Sequence, residues 1–259
     1  MKFIHTSDWQ IGRTFRFADD DTLGALQAER LEVIRRLGHL ARQEGVIHVL
    51  VAGDVYEHEA PAERTLHQPI ERMREFPDLQ WHLIPGNHDA DQPEGVWARL
   101  LRSGLPANVQ IHREPGPVLI DPAQNGWLLP AVLKRRHVLT DLTAYMDEAE
   151  TPPDALRIGL AHGSVVGFGG RVRRSITPWR WTAPGGPGSP IWHLVTGMDF
   201  ARLMPGPSIP ARRRQTDLQP VAGAAVRLWS SRCAGRGPSR KSPATEPGAI
   251  SGKSWRMWC

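Results

Sequence analysis

Cysteine is almost missing from this chain: 259 residues contain two, Cys233 and Cys259, both near the C-terminal end. One such pair excludes a disulfide framework, and with no Cys-any-any-Cys string a thiolate metal site is excluded as well. Long apolar runs are also lacking, and none approaches the ~20 residues of a membrane span. The opening "MKFIHTSD" lacks the basic and apolar regions of a secretory leader, so the expectation is a soluble, cytoplasmic chain with no membrane partner. Acidic residues are scarce in one region only. Residues 171–259 hold 15 Lys and Arg against 3 Asp and Glu, whereas residues 1–170 hold 17 against 24. The formal net charge of +5 is therefore the sum of an acidic front and a strongly basic tail, not a uniform attraction for polyanions.

The front alternates regular signals. "KFIHTS" reads as a strand, and "TLGALQAERLEVIRRLGHLARQEG" places Leu23, Leu26, Val33, Ile34, Leu37 and Leu40 at helical spacing up to Gly45. "VIHVLVAGD" is a second strand, a helix beginning at Pro61 presents Leu66, Ile70 and Met73, and "LQWHLIPGNHD" is a third strand. A helix at "GVWARLLRSG" precedes the short strand candidates "NVQIH", "PVLID" and "GWLLPAV", a helix near "LTDLTAYMDEAE" and the strand "LRIGLAHG". Strands alternating with helices and then giving way to shorter β segments imply an α/β sheet joined by a second sheet. Beyond Gly170 the periodicity stops. That stretch carries 11 of the 23 prolines and six of the ten tryptophans without a repeat or an amphipathic face. The expected organisation is one domain over residues 1–170 and a largely irregular segment over 171–259.

Four of the strand candidates end on polar chemistry. "FIHTSD" delivers Asp8, "VLVAGD" delivers Asp54, "HLIPGNHD" delivers Asn87, His88 and Asp89, and "IGLAHG" delivers His162. Taken singly, Asp8 and Gly53-Asp54 are ordinary turn chemistry, and His162 is an ordinary locally bonded histidine. Taken together they imply a site, because ligands of open α/β sheets bind outside the carboxyl ends of the strands. Carboxylates and an amide mixed with imidazole suit Mn²⁺, Fe or Zn²⁺.

In this order "SDWQIG", "GDVYE", "PGNHD" and "AHGSV" resemble the motifs of the calcineurin-like metallophosphoesterases, and within them the bacterial DNA repair exonuclease branch that includes SbcD-type nucleases. The resemblance covers about the first 170 residues. It implies an α/β/β/α four-layer metallophosphoesterase sandwich, here with an incomplete second sheet, and a hydrolase dependent on two divalent metal ions, Mn²⁺ foremost. Carried over, it makes Asp8 a ligand of the first metal, Asp54 the shared carboxylate, and Asn87 and His162 ligands of the second. His88 becomes the proton donor, oriented by Asp89. Gln10 stands where the family has a histidine on the first metal, and Glu57 where it has an aspartate. The implied substrate is DNA, and the implied partner is an SbcC-like ATPase. A small-substrate phosphodiesterase or phosphatase on the same fold is the alternative enzyme, and an inactive chain binding nucleic acid through its tail is the alternative of another class. Arg13, close to Asp8, is a candidate phosphate contact.

The branch also has a fifth motif, Gly-Asp-Trp-His-Gly, and no such string occurs after His162. The segment Ser189 to Asp199, "SPIWHLVTGMD", can however be encoded so that reading from the last base of the serine codon gives Ala-Asp-Leu-Ala-Leu-Gly-Asp-Trp-His-Gly. In the same frame "SIPARRRQT", Ser208 to Thr216, can give Tyr-Ser-Gly-Thr-Pro-Glu-Ala-Asp, similar to the segment beyond that motif in the branch. The expectation is a one-base slip between about Gly169 and Thr177, with an out-of-frame tail and impaired activity. If the tail does supply a metal ligand of its own, His193 is the first candidate.

Overall fold

The computed structural model describes residues 1–15, 17–165, 178–179, 191–196 and 225–230. The front forms β1 (Lys2–Ser7), α1 (Asp20–Glu44), β2 (His48–Ala52), α2 (Glu63–Arg74), β3 (Gln80–Ile84), α3 (Val96–Ser103) and β4 (Val109–Ile111). Next come β5 (Val118–Asp121), β6 (Gly126–Ala131), the single turn α4 (Tyr145–Glu148), β7 (Leu156–His162) and β8 (Ser164–Val165). Beyond residue 170 lie β9 (Pro178–Trp179), β10 (Ile191–Thr196) and β11 (Ala225–Ser230). No helix among the described residues is long and apolar enough to cross a membrane.

Two sheets carry the architecture. The first has the order β11-β1-β2-β3-β4, parallel throughout except for β11, and the second the order β10-β7-β6-β5. Within the second sheet β6, β7 and β10 run parallel, and β5 closes it antiparallel. The fold is thus mixed α/β, as expected. The segment beyond Gly170, expected to be largely irregular, contributes an edge strand to each of these sheets and the short β9 that pairs with β8; the rest of it lies outside the described residues.

Local chemistry explains the boundaries. Asp19 caps α1 by accepting from the Thr22 amide at 2.8 Å, and Gly45, at φ 61°, takes the left-handed turn that stops it. Helix α2 starts at Glu63, two residues after the proline expected to open it. The expected helix near residues 139–150 is confined to four residues, because Asp141 bonds the amide and hydroxyl of Thr143 and holds the preceding chain in a turn.

Period-2 alternation divides each strand of the first sheet between two cores. Ile4, Val49, Val51, Trp81 and Leu83 pack with α1, α2 and α3. Phe3, Leu50, Ala52 and Ile84 face the other way and pack with Leu128, Ile158 and Leu160 of the second sheet. Met146 of α4 covers Leu129, Ala131 and Ala161 on that sheet's outer side.

Three buried imidazoles share the face between the sheets. The register sets Leu50 opposite His82 and His82 opposite Gln110, so His48, His82 and His112 step diagonally, two residues per strand. His48 Nδ1 and His82 Nε2 lie 3.2 Å apart, as do His82 Nδ1 and His112 Nε2, so each pair shares one N–H···N hydrogen bond. Burial holds all three pKa values down, His112 to about 4, with Asp121 partly opposing it at His48 and the neighbouring rings reinforcing it at His82. An unfolded chain therefore takes up protons near the ordinary histidine value of ~6.5 that the fold refuses, so stability is full above that pH and falls as the pH drops toward 4. His112→Gln should flatten this acid limb by on the order of 3 kcal/mol between pH 7 and 4. Denaturant midpoints at both pH values measure it, and equal slopes in variant and parent would place the acid sensitivity elsewhere.

Candidate metal centre

The carboxyl ends of β1, β2, β3 and β7 meet at one edge. Past the end of β1 the chain continues alongside the β2 loop: the amides of Asp8, Gln10 and Ile11 donate to the carbonyls of Gly53, Asp54 and Val55 at 3.2, 2.8 and 2.8 Å. This pairing holds three non-glycine residues at positive φ, Asp8 at 58°, Gln10 at 46° and Asp54 at 54°. Such conformations are uncommon for L-residues, and their concentration in two adjoining loops marks strain retained at a site.

Asp8, Asp54 and His162 bring one ligand atom each within 4.8 Å of one another. His162 Nδ1 lies 2.9 Å from the Ala52 carbonyl, which can only accept, so Nδ1 carries the proton. In the neutral ring Nε2 then presents a lone pair, and it faces Asn87 Oδ1 at 2.7 Å and Asp54 Oδ2 at 3.5 Å. A cation placed among these atoms would draw on all of their lone pairs. Two carboxylates, an amide oxygen and an oriented imidazole form a donor set that fits a divalent ion of the Mn²⁺ or Zn²⁺ kind.

The surrounding charge agrees. Burial raises the Asp8 pKa, against the pull of His162 and a hydrogen bond from the Ser7 hydroxyl, and the Asp54 carboxylate raises it further. Asp89 is pushed up to about 7 by burial first and by Asp54 second. Glu57 adds another carboxylate, with Oε2 buried and unbonded. A bound cation relieves each of these penalties.

His88 and Asp89 take different places. The His88 amide donates to Asp54 Oδ1 at 2.9 Å, and its ring Nδ1 donates to the Glu57 carbonyl at 3.1 Å, with Glu57 Oε1 4.0 Å away. The expectation that Asp89 orients this ring is corrected. The Asp89 carboxylate accepts instead from the backbone amides of Gly86 at 2.6 Å, Tyr56 at 3.0 Å and Asp54 at 3.3 Å, so it clamps two ligand loops together. Gln10, expected on the first metal, turns its amide oxygen to the Arg13 guanidinium.

Arg30 was not anticipated. It lies on α1 in register with buried Val33, Ile34, Leu37 and Ala41, and its guanidinium donates to the Trp9 carbonyl at 2.7 Å. Burial and then Arg13 lower its pKa, with Glu57 and Asp8 partly opposing them. A lone arginine on an otherwise apolar helix face was the available sequence signal.

A family model described as "Calcineurin-like phosphoesterase" matches residues 1–171. The chain belongs to that family. The matched region contains the loops just described and ends at the point where the charge balance reverses. The chain is also similar to the SbcD subunit of the nuclease SbcCD from Rhodobacter capsulatus, 30% identical over 171 residues, which is 63% of this chain and 39% of that protein. It thus spans well under half the length of this curated relative.

The ligand loops touch through glycine. A Cβ added at Gly86 would stand 2.2 Å from Asp54 Oδ1 and 2.3 Å from the Asp54 amide nitrogen, so Gly86→Ala must push the loops apart. We expect it to weaken Mn²⁺ binding at least about tenfold, the range found when groups supporting metal ligands are lost. Gly24→Ala, where an added Cβ meets nothing within 4 Å, should leave binding unchanged and stabilise α1 by about 0.5–1 kcal/mol. Isothermal titration with Mn²⁺ and thermal melts check both, and full affinity in Gly86→Ala would show that loop contact does not set the ligand geometry.

Proposed function

We propose that this protein is a phosphodiester hydrolase acting on DNA and dependent on two divalent metal ions, Mn²⁺ foremost. The observation that carries the reading is the convergence of Asp8, Asp54, Asn87 and His162 lone pairs at one sheet edge. Asp8 would hold the first ion, with Gln10 on that side, Asn87 and His162 would hold the second, and Asp54 would serve both. Bound divalent ions supply Lewis acidity that stabilises phosphoryl charge and lowers the pKa of a water toward ~7. The similarity to an SbcCD nuclease subunit supports DNA as substrate and an SbcC-like ATPase as partner in a repair exonuclease.

The protein's own groups divide the remaining work. His162 is fixed in one tautomer by the Ala52 carbonyl, which keeps Nε2 free to ligate. His88 is held at Nδ1 by the Glu57 carbonyl, with the Glu57 carboxylate 4.0 Å from the same nitrogen. Nε2 is then the ring atom left to face the leaving oxygen, and it acts as the proton donor when the ring carries its second proton. Asp89 ties together the loops that carry Asp54 and Asn87.

The segment 171–259 reads best as translation in a shifted frame. The family match ends at 171, and β10 supports the reading geometrically. Its Thr196 stands level with His162 on β7. In the alternate frame an aspartate falls at position 196 and a histidine at position 198, so Gly-Asp-Trp-His-Gly would leave the sheet at the edge that carries the ligands. This chain lacks that histidine and is expected to turn over slowly.

Shifting the frame by one base near codon 170 should raise Mn²⁺-dependent hydrolysis of bis-p-nitrophenyl phosphate and of DNA by at least about tenfold. Equal turnover by the unaltered chain would overturn the shifted-frame reading. In the restored protein, His88→Ala should lower kcat about 10²–10⁴-fold while Mn²⁺ stoichiometry is kept, as loss of a proton donor requires. A loss of bound metal matching that of Asp54→Asn would reassign His88 as a ligand.

A further inference from the structure

The run Lys134-Arg135-Arg136-His137 leaves the end of β6 and is exposed. Its location is set by register: Ala131, the last residue of β6, is paired with Ala161, one residue before His162. The run therefore begins two residues past the level of His162, and its four residues reach at most ~14 Å further.

Its base is anchored to the His88 loop. The Asp91 amide donates to the Leu133 carbonyl at 2.8 Å, and the Gln92 side chain donates to the Lys134 carbonyl. The buried Asp91 carboxylate accepts from Arg113 at 2.6 Å and from Lys134 at 2.9 Å, and Lys134 also reaches Glu114 at 2.7 Å. Lys134 is thus spent on structure. Arg135 and Arg136, immediately beyond it, have no ion-pair or hydrogen-bond partner among the described residues. On the helices Arg35, Arg36, Arg42, Arg72, Arg99 and Arg102 each hold a carboxylate. Two guanidinia without a carboxylate partner among the described residues, on a segment anchored at its base beside the candidate site, can present their forks to an extended polyanion.

We propose that Arg135 and Arg136 form a backbone clamp that holds two phosphates of a DNA strand flanking the scissile one. This rests on the hydrolase reading and adds to it a preference for polymeric over small phosphodiesters. The clamp contacts phosphates and reads no base, so it positions without sequence preference.

The test compares the full chain with R135A/R136A and with R36A/R102A, which removes the same charge from paired arginines elsewhere. Fluorescence anisotropy of a labelled single-stranded 20-mer, without added metal, is measured between 50 and 200 mM salt. Losing two phosphate contacts should reduce the magnitude of the slope of log K against log salt by about 1.4 in R135A/R136A, with thermal midpoint and Mn²⁺ binding unchanged. The slope of R36A/R102A should match the parent. An unchanged slope in R135A/R136A, or an equal reduction in R36A/R102A, overturns the clamp. Failure of the frame-restored protein to hydrolyse bis-p-nitrophenyl phosphate would overturn the hydrolase reading instead, whatever the slopes.

Discussion

Repulsion between buried carboxylates is the constraint on which the metal centre depends. Asp8, Asp54 and Asp89 enter one poorly solvated corner, where burial and the neighbouring Asp54 carboxylate disfavour the charge of Asp8 and Asp89. The protein tolerates this because each oxygen not reserved for a cation is given a fixed donor. Asp89 takes three backbone amides, Asp54 takes the His88 amide, and Asp8 takes the Ser7 hydroxyl. The lone pairs left unsatisfied are directed at one point, where a divalent ion answers them.

Backbone geometry holds that arrangement. Gly53 and Gly86 sit so close that a side chain on either would enter the other loop or Asp54 itself. The positive φ of Asp8, Gln10 and Asp54 arises where the ladder continues past the strands into the loops. The strain is carried by the two packed faces of the first sheet, with helices on one side and the second sheet on the other. The same sheet-to-sheet interior contains the diagonal of His48, His82 and His112, which couples the fold to acid through burial and not through the ligands.

Much of the site was legible in the sequence because chain order and strand ends are one-dimensional facts. Asp8, Asp54, Asn87 and His162 are each the polar residue that ends an apolar strand, and the structure brings them together. Partnerships were less legible. Asp89 adjoins His88 in sequence, yet its carboxylate turns to the backbone of another loop, and Glu57, 31 positions upstream, supplies the carbonyl that orients the ring. Gln10 reads as a ligand by position, but its amide oxygen meets Arg13, because the left-handed backbone at Gln10 and the turn after it bring that guanidinium back to it.

Sequence by itself determined the α/β alternation, the helix stops, the residues that end on the site and the reversal of charge after Gly170, since each depends on periodicity or residue type along the chain. Tertiary structure decided what no period encodes. It set the tautomer of His162 through a carbonyl 110 residues away, brought Arg30 to the Trp9 carbonyl, and placed Arg135 and Arg136, unpaired among the described residues, on the segment that follows β6 past the level of His162. These depend on which strands become neighbours and at what offset, a choice made by burial of both sheet faces at once and not by any local stretch of residues.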